Sequence, residues 1–255
     1  MTLEWQRDDA RRDAAAALEK LSPCMLLVFL VGVPIILITR WAFVVHHAEF
    51  FERTNPSISK TAAYAPGSYI FAAGIVLTAV LLIMAWYIGR RVNGWSFEAL
   101  RPGPGTGLMS ALSGAGSILG MIAGVLLAAL AIVNLKVSNN GHMVLSALFY
   151  ASQVGAFLLD SVAAVWLKRR AREQADIDPP IPGNSRIWVC VGVVVATACF
   201  VFLFNFKDWE AYDDSMLVQR IYVASEYILA TLCLGYAVAG YFDCKSYFNK
   251  VKARI

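Results

Sequence analysis

The chain has 255 residues, of which 58% are hydrophobic and only 16% charged, with a formal charge of +4. Soluble domains carry about 25% charged residues, so this balance excludes an ordinary soluble enzyme and gives no basis for a nucleic-acid partner. The apolar residues fall into six blocks of about twenty, each long enough to cross a hydrocarbon core of roughly 30 Å as a helix, the form that leaves no backbone group unpaired in lipid.

In chain order, residues 1–22 are polar and rich in both signs (Glu4, Arg7, Asp8, Arg11, Arg12, Asp13, Glu19 and Lys20 among them). They read as a short cytosolic helix stopped near Pro23, with too balanced a charge for a membrane-binding helix. Residues 23–248 hold the six predicted spans: Cys24–Val45, Gly67–Tyr87, Ala111–Val133, Met143–Leu167, Ile187–Phe204 and Ile221–Tyr241. The first begins after about twenty polar residues and has no A-x-A cleavage pattern behind it, so it reads as a span and not a signal peptide. Pro34 inside it predicts a kink. Residues 249–255 form a basic tail.

Lys and Arg set the orientation. The N-terminal tail, the loops after spans two and four, and the C-terminal tail together hold sixteen, Arg90, Arg91, Lys168, Arg169, Arg170 and Arg186 among them; the opposite loops hold five, Arg53, Lys60, Lys136, Lys207 and Arg220. This predicts cytosolic termini.

No catalytic signature stands out. The segment Arg101-Pro-Gly-Pro-Gly-Thr-Gly107 is a turn, without the strand, helix and Lys-Ser/Thr that a phosphate loop needs. His46, His47 and His142 make no paired metal spacing, the five cysteines all lie in or beside spans with no disulfide framework, and no cofactor is expected. Gly116, Gly120 and Gly124 form a small-xxx-small face in span three, which predicts close helix packing, within the chain more than between copies.

Charge at membrane depth is costly and draws attention to Arg40, Asp160 and Glu226. Arg40 lies five residues before the outer end of span one and Glu226 five after the outer start of span six. Both should sit roughly 7–8 Å below the boundary, a plausible ion pair. In span four, His142, Ser146, Gln153 and Asp160 fall at about 0°, 40°, 20° and 0° around the helix axis. One polar face is expected to look inward, either as interhelical glue or onto a cavity opening to the outer leaflet.

Several motifs resemble the Frag/DRAM/Sfk family of six-span membrane proteins. Asn55-Pro-Ser-Ile-Ser-Lys-Thr61, followed by Ala65-Pro-Gly-Ser-Tyr-Ile-Phe71, is similar to the family's opening of span two. Tyr87–Arg90 resembles its aromatic-to-basic exit. Ile132-Val-Asn134, Gly141-His142 and Ala147-Leu-Phe149 are similar to the end of span three and the start of span four, and Ala224-Ser-Glu-Tyr227 with Phe242-Asp243 to span six. Lys60 replaces a frequent acidic residue and Tyr227 a frequent tryptophan.

The resemblance covers nearly the whole chain and implies an all-α bundle that handles lipid or regulates membranes. Relatives include lysosomal autophagy modulators, a plasma-membrane organiser of lipid and phosphoinositide, and a Golgi factor of GPI-anchor remodelling. Arg40, Ser59, Asn134, His142 and Glu226 gather near the outer leaflet and, with Gln153 and Asp160, are the candidate ligand-binding residues. The leading expectation is a non-enzymatic regulator or scaffold whose partners are membrane lipids or another membrane protein, in a lysosomal, Golgi or plasma membrane. The alternatives are an intramembrane lipid-remodelling enzyme, with His142 as base and Glu226 or Asp160 as its charge partner, and a transporter or channel. Oligomeric state stays open.

Overall fold

The computed structural model describes residues 13–49, 55–174, 184–206 and 216–253. Six helices in it are long and apolar enough to span a membrane. They are α1 (Pro23–His46), α2 (Gly67–Ala99), α3 (Thr106–Ile132), α4 (Asn139–Glu173), α5 (Ser185–Phe206) and α6 (Met216–Ala253), with a one-turn helix, Ile58–Thr61, between α1 and α2. Among the described residues there is no strand. The molecule is an all-α, multi-pass membrane protein.

Exposure on the bundle wall agrees with a lipid surround. Leu30, Leu37, Leu77, Ile122, Val125, Val165, Val195 and Phe202 point outward, a girdle that water would not tolerate. Trp41 and Tyr69 towards one end, and Tyr87 and Trp188 towards the other, are also exposed, as in the aromatic belts at membrane interfaces.

The helices outrun the predicted spans at the basic end of the bundle, the end rich in Lys and Arg. Helix α2 continues from the predicted Tyr87 to Ala99, and α6 reaches Ala253. Arg90 and Arg91 end an apolar block, but an amphipathic helix needs only one apolar face. Beyond them Val92, Trp95 and Phe97 are buried, and Trp95 stacks on Tyr247 of α6 at 5.8 Å. Phe97 and Leu100 join Ala163, Leu167 and Ala171 of α4 in a second small core. Residues 13–21 are helical and lead almost directly into α1, burying Ala15 and Leu18 in the main core. The rest of the predicted N-terminal helix, residues 1–12, lies outside the described residues. Pro34 sits inside an uninterrupted α1.

The helices form a ring. Each of α1–α4 packs on its sequence neighbours, α6 packs on α5 and closes back onto α1, and α2 reaches α6 across the centre. The loosest seam between neighbours is α4–α5. The α3 glycines explain the tight half. A Cβ on Gly116 would stand 3.1 Å from the Ala156 carbonyl oxygen of α4, one on Gly124 would stand 2.5 Å from Ile83 of α2, and one on Gly120 would strike the Trp86 ring. Successive i+4 steps turn about 40° around the axis, so one glycine stripe serves two neighbours.

The α2–α3 connection is the predicted Pro/Gly turn. Gly105 occupies the left-handed region at φ 82°, where a side chain would be strained. Gln174, at the end of α4, clasps this turn by accepting from the Arg101 N–H at 3.0 Å.

Candidate functional site

At the end away from the basic loops, α4 starts on a well-made cap. The Ser138 side chain accepts from the Gly141 N–H at 3.1 Å, and Asn134 Oδ1 accepts from Lys136 and Val137 N–H groups at 3.0 and 3.1 Å. This fixes the α3–α4 turn and puts His142 in the first turn of α4, with its Nδ1 2.8 Å from the Val133 carbonyl oxygen. A carbonyl only accepts, so Nδ1 carries the proton and the neutral ring offers Nε2 as an acceptor. That Nε2 is buried and has no hydrogen-bond partner among the described residues, and His142 itself is 3% exposed.

His142 faces a cavity of about 640 Å³ walled mainly by α4, α5 and α6. Its walls are mainly apolar, with Ile75, Leu130, Val154, Phe200 and Leu229 among them. Polar groups reach it from Ser59, Ser146, Tyr150, Thr197, Tyr222 and Glu226. The Thr197 hydroxyl is a second buried polar group with no hydrogen-bond partner among the described residues. Ala147, Ala151 and Leu158 line the cavity and are also exposed, so the cavity is open sideways near the α4–α5 seam.

The wall near His142 is completed by the segment 55–61. Glu226 of α6 accepts from the Ile58 N–H at 2.8 Å and from the Ser59 backbone. Arg40 of α1 donates to the Pro56 carbonyl at 2.8 Å and to Asn55 Oδ1 at 2.7 Å, and lies over the Tyr227 ring. The expected Arg40–Glu226 ion pair is thus corrected. Their charges act on each other, but among the described residues each holds the intervening chain, one by its oxygens and the other by its N–H groups. A segment presenting both kinds of backbone group needs a cation and an anion to hold it.

At the basic end α4 presents a different constellation. Asp160, 2% exposed, accepts from Asn93 of α2 at 2.8 Å, Tyr236 of α6 at 2.6 Å and Arg186 of α5 at 3.1 Å. Asn93 also donates to Ser113 of α3 at 3.1 Å, and Arg186 meets Asp243 of α6 at 2.6 Å. Five helices are tied in one buried knot. Trp86, Phe157 and Tyr236 stack beside it, with Phe157 and Tyr236 centroids 4.0 Å apart. With Gln153 they line a separate pocket of about 20 Å³, room for about one water.

The predicted stripe therefore divides. All four residues are turned inward, but His142 and Ser146 line the large cavity while Gln153 and Asp160 line the small pocket. Past Tyr150 the cavity wall swings round α4 to Val154 and Leu158, roughly 120–160° from His142 about the axis. Ser59 and Glu226 join His142 at the cavity. Asn134 is used up in its turn, and Arg40 serves the segment beside it. The predicted pairing of His142 with Asp160 does not form, since 18 residues separate them by ~27 Å of helix. The His142 ring proton goes to Val133 instead of Glu226.

Arg186 and Asp243 do not stand out in the sequence as site residues. Arg186 is one of the sixteen Lys and Arg of the basic face, yet it is 3% exposed; the asymmetry survives without it. Its signal was position, directly against an apolar block and opposite a lone intramembrane carboxylate that needed a partner.

A family model described as the Frag1/DRAM/Sfk1/Cwh43P N-terminal domain matches residues 20–247. No curated protein and no solved structure matches the chain.

Proposed function

The chain belongs to the Frag1/DRAM/Sfk1/Cwh43P family, and on that premise we propose that it is a non-enzymatic membrane protein that holds a lipid in the His142 cavity. The observation that carries this reading is the cavity itself: about 640 Å³, apolar along its length, polar at one end and open sideways towards the bilayer. Chains would lie along Val154, Phe200 and Leu229, and the head would meet His142, Ser146 and Glu226. Water in so apolar a space would gain few hydrogen bonds, whereas an acyl chain removes apolar wall from contact with it. The basic asymmetry orients the cavity to the outer or lumenal leaflet of a plasma membrane or endomembrane. Holding a lipid at that place suits a regulator or scaffold that reports lipid content to a membrane partner.

Lipid bound to gently purified protein, identified and counted by native mass spectrometry, tests the reading. Ala147→Trp puts an indole at an exposed wall position, so stability should change by less than about 0.5 kcal/mol while retained lipid falls at least several-fold. Unchanged lipid in this variant would sink the cavity reading. The orientation is checked separately by placing single cysteines at positions 137 and 175 in a functional background from which the five native cysteines have been removed. Impermeant reagents should label them from opposite sides of an intact membrane, and same-side labelling would overturn the topology.

A further inference from the structure

We infer that the polar end of the cavity takes an uncharged lipid head that donates hydrogen bonds, a hydroxyl or amide N–H, and turns away a phosphate. This rests on the lipid-holding reading and adds the chemical class of the ligand.

Three observations point the same way. First, the His142 side chain lines the cavity, and its Nε2, an acceptor, is buried with no hydrogen-bond partner among the described residues. An unmet buried acceptor is costly, and a donor that reached it from the cavity would relieve that cost. Second, Glu226 on the same wall is an acceptor when ionised, and its two backbone N–H donors leave part of its roughly four lone-pair positions free. Third, no Lys or Arg is among the described residues lining the cavity. Arg40, whose charge acts on Glu226, does not line the cavity and donates to Asn55 and Pro56 of the neighbouring segment.

A phosphate diester carries only acceptor oxygens, and a monoester such as phosphatidate keeps at most one P–OH donor while bearing at least one full negative charge. Placed here it would face an acceptor nitrogen and a carboxylate in a low-dielectric space, where like charges repel strongly and no cation replaces lost water. A hydroxyl presents a proton to Nε2 or to Glu226, and its own oxygen can accept from Ser146 or Thr197. The wall thus discriminates by what it lacks as well as by what it offers.

Photoreactive diacylglycerol and photoreactive phosphatidate with identical acyl chains differ only in the phosphate. Each is cross-linked to the full-length protein in phosphatidylcholine nanodiscs, and the labelled peptides are mapped. Diacylglycerol should label the α4 and α6 segments that line the cavity at least tenfold more than phosphatidate does. His142→Phe should bring the diacylglycerol signal down towards the phosphatidate level. If that variant fails to fold, the wild-type ratio decides alone. Equal or stronger cavity labelling by phosphatidate overturns the inference and leaves the lipid-holding reading standing. Cavity peptides labelled by neither lipid would remove the lipid-holding reading and this inference with it.

Discussion

His142 and Asp160 share one face of α4, are about equally buried, and sit ~27 Å apart along the helix. Asp160 finds partners on α2, α5 and α6; Gln153 Oε1 beside it has no hydrogen-bond partner among the described residues, but the neighbouring space holds only about one water. In the residues lining the His142 cavity, an imidazole nitrogen and a threonine hydroxyl have no partner among the described residues, beside some thirty times that space. Buried polar groups that satisfy each other are architecture, because removing one strands the rest. Buried polar groups left unmet beside room for a ligand are a site. The sequence pattern of the stripe is the same at both ends, so only the surroundings tell them apart.

The comparison breaks most readily at the knot. Arg186→Leu strands Asp160 and Asp243 together, and should cost about 3–5 kcal/mol, the range seen when a buried pair loses one member. The drop should appear in thermal melting followed by size-exclusion chromatography in mild detergent. Adding Asp243→Asn should recover part of it, since one unpaired carboxylate is then removed. An Arg186→Leu protein that melts like wild type would mean the knot holds nothing together.

A smaller effect is expected beside the cavity. Glu226→Gln weakens charge-assisted bonds to Ile58 and Ser59, a loss of about 1.5–3 kcal/mol. Arg40→Gln releases the other side of the same segment. Once either grip is gone the second has less ordered chain to hold, so the double variant should lose less than the two losses added. A coupling of about 0.5 kcal/mol or more in the double-mutant cycle supports this. Strict additivity would mean the two side chains do not act through segment 55–59.

The spans were legible in the sequence because apolar length is a one-dimensional property, and it located six helices that the fold contains. Their extensions were not, because Arg90 and Arg91 end the apolar run without ending the amphipathic face that Trp95 and Phe97 carry. The inward turn of His142, Gln153 and Asp160 followed from 100° per residue. The division of that stripe did not follow, because Trp86 and Tyr236, which close around Gln153 and Asp160, come from helices whose rotation no local pattern sets. Matching depth brought Arg40 and Glu226 to one place, but could not show that residues 55–59 would lie between their grips. Arg186 was lost to a loop because its neighbours in sequence are a Pro/Gly turn, while its neighbours in space are two carboxylates.

The difference between the two regions comes down to adjacent residues. Val154 faces the large cavity and Gln153 the small pocket, one step apart on α4. Lipid retained per protein, measured side by side for Val154→Trp and Gln153→Leu by native mass spectrometry, is the most direct test. Val154→Trp should lose most of the bound lipid, whereas Gln153→Leu should keep it within about twofold and register only as a change in melting temperature. Retention by Val154→Trp, or loss of lipid from Gln153→Leu in a protein that still folds, would contradict the assignment of ligand to one region and architecture to the other.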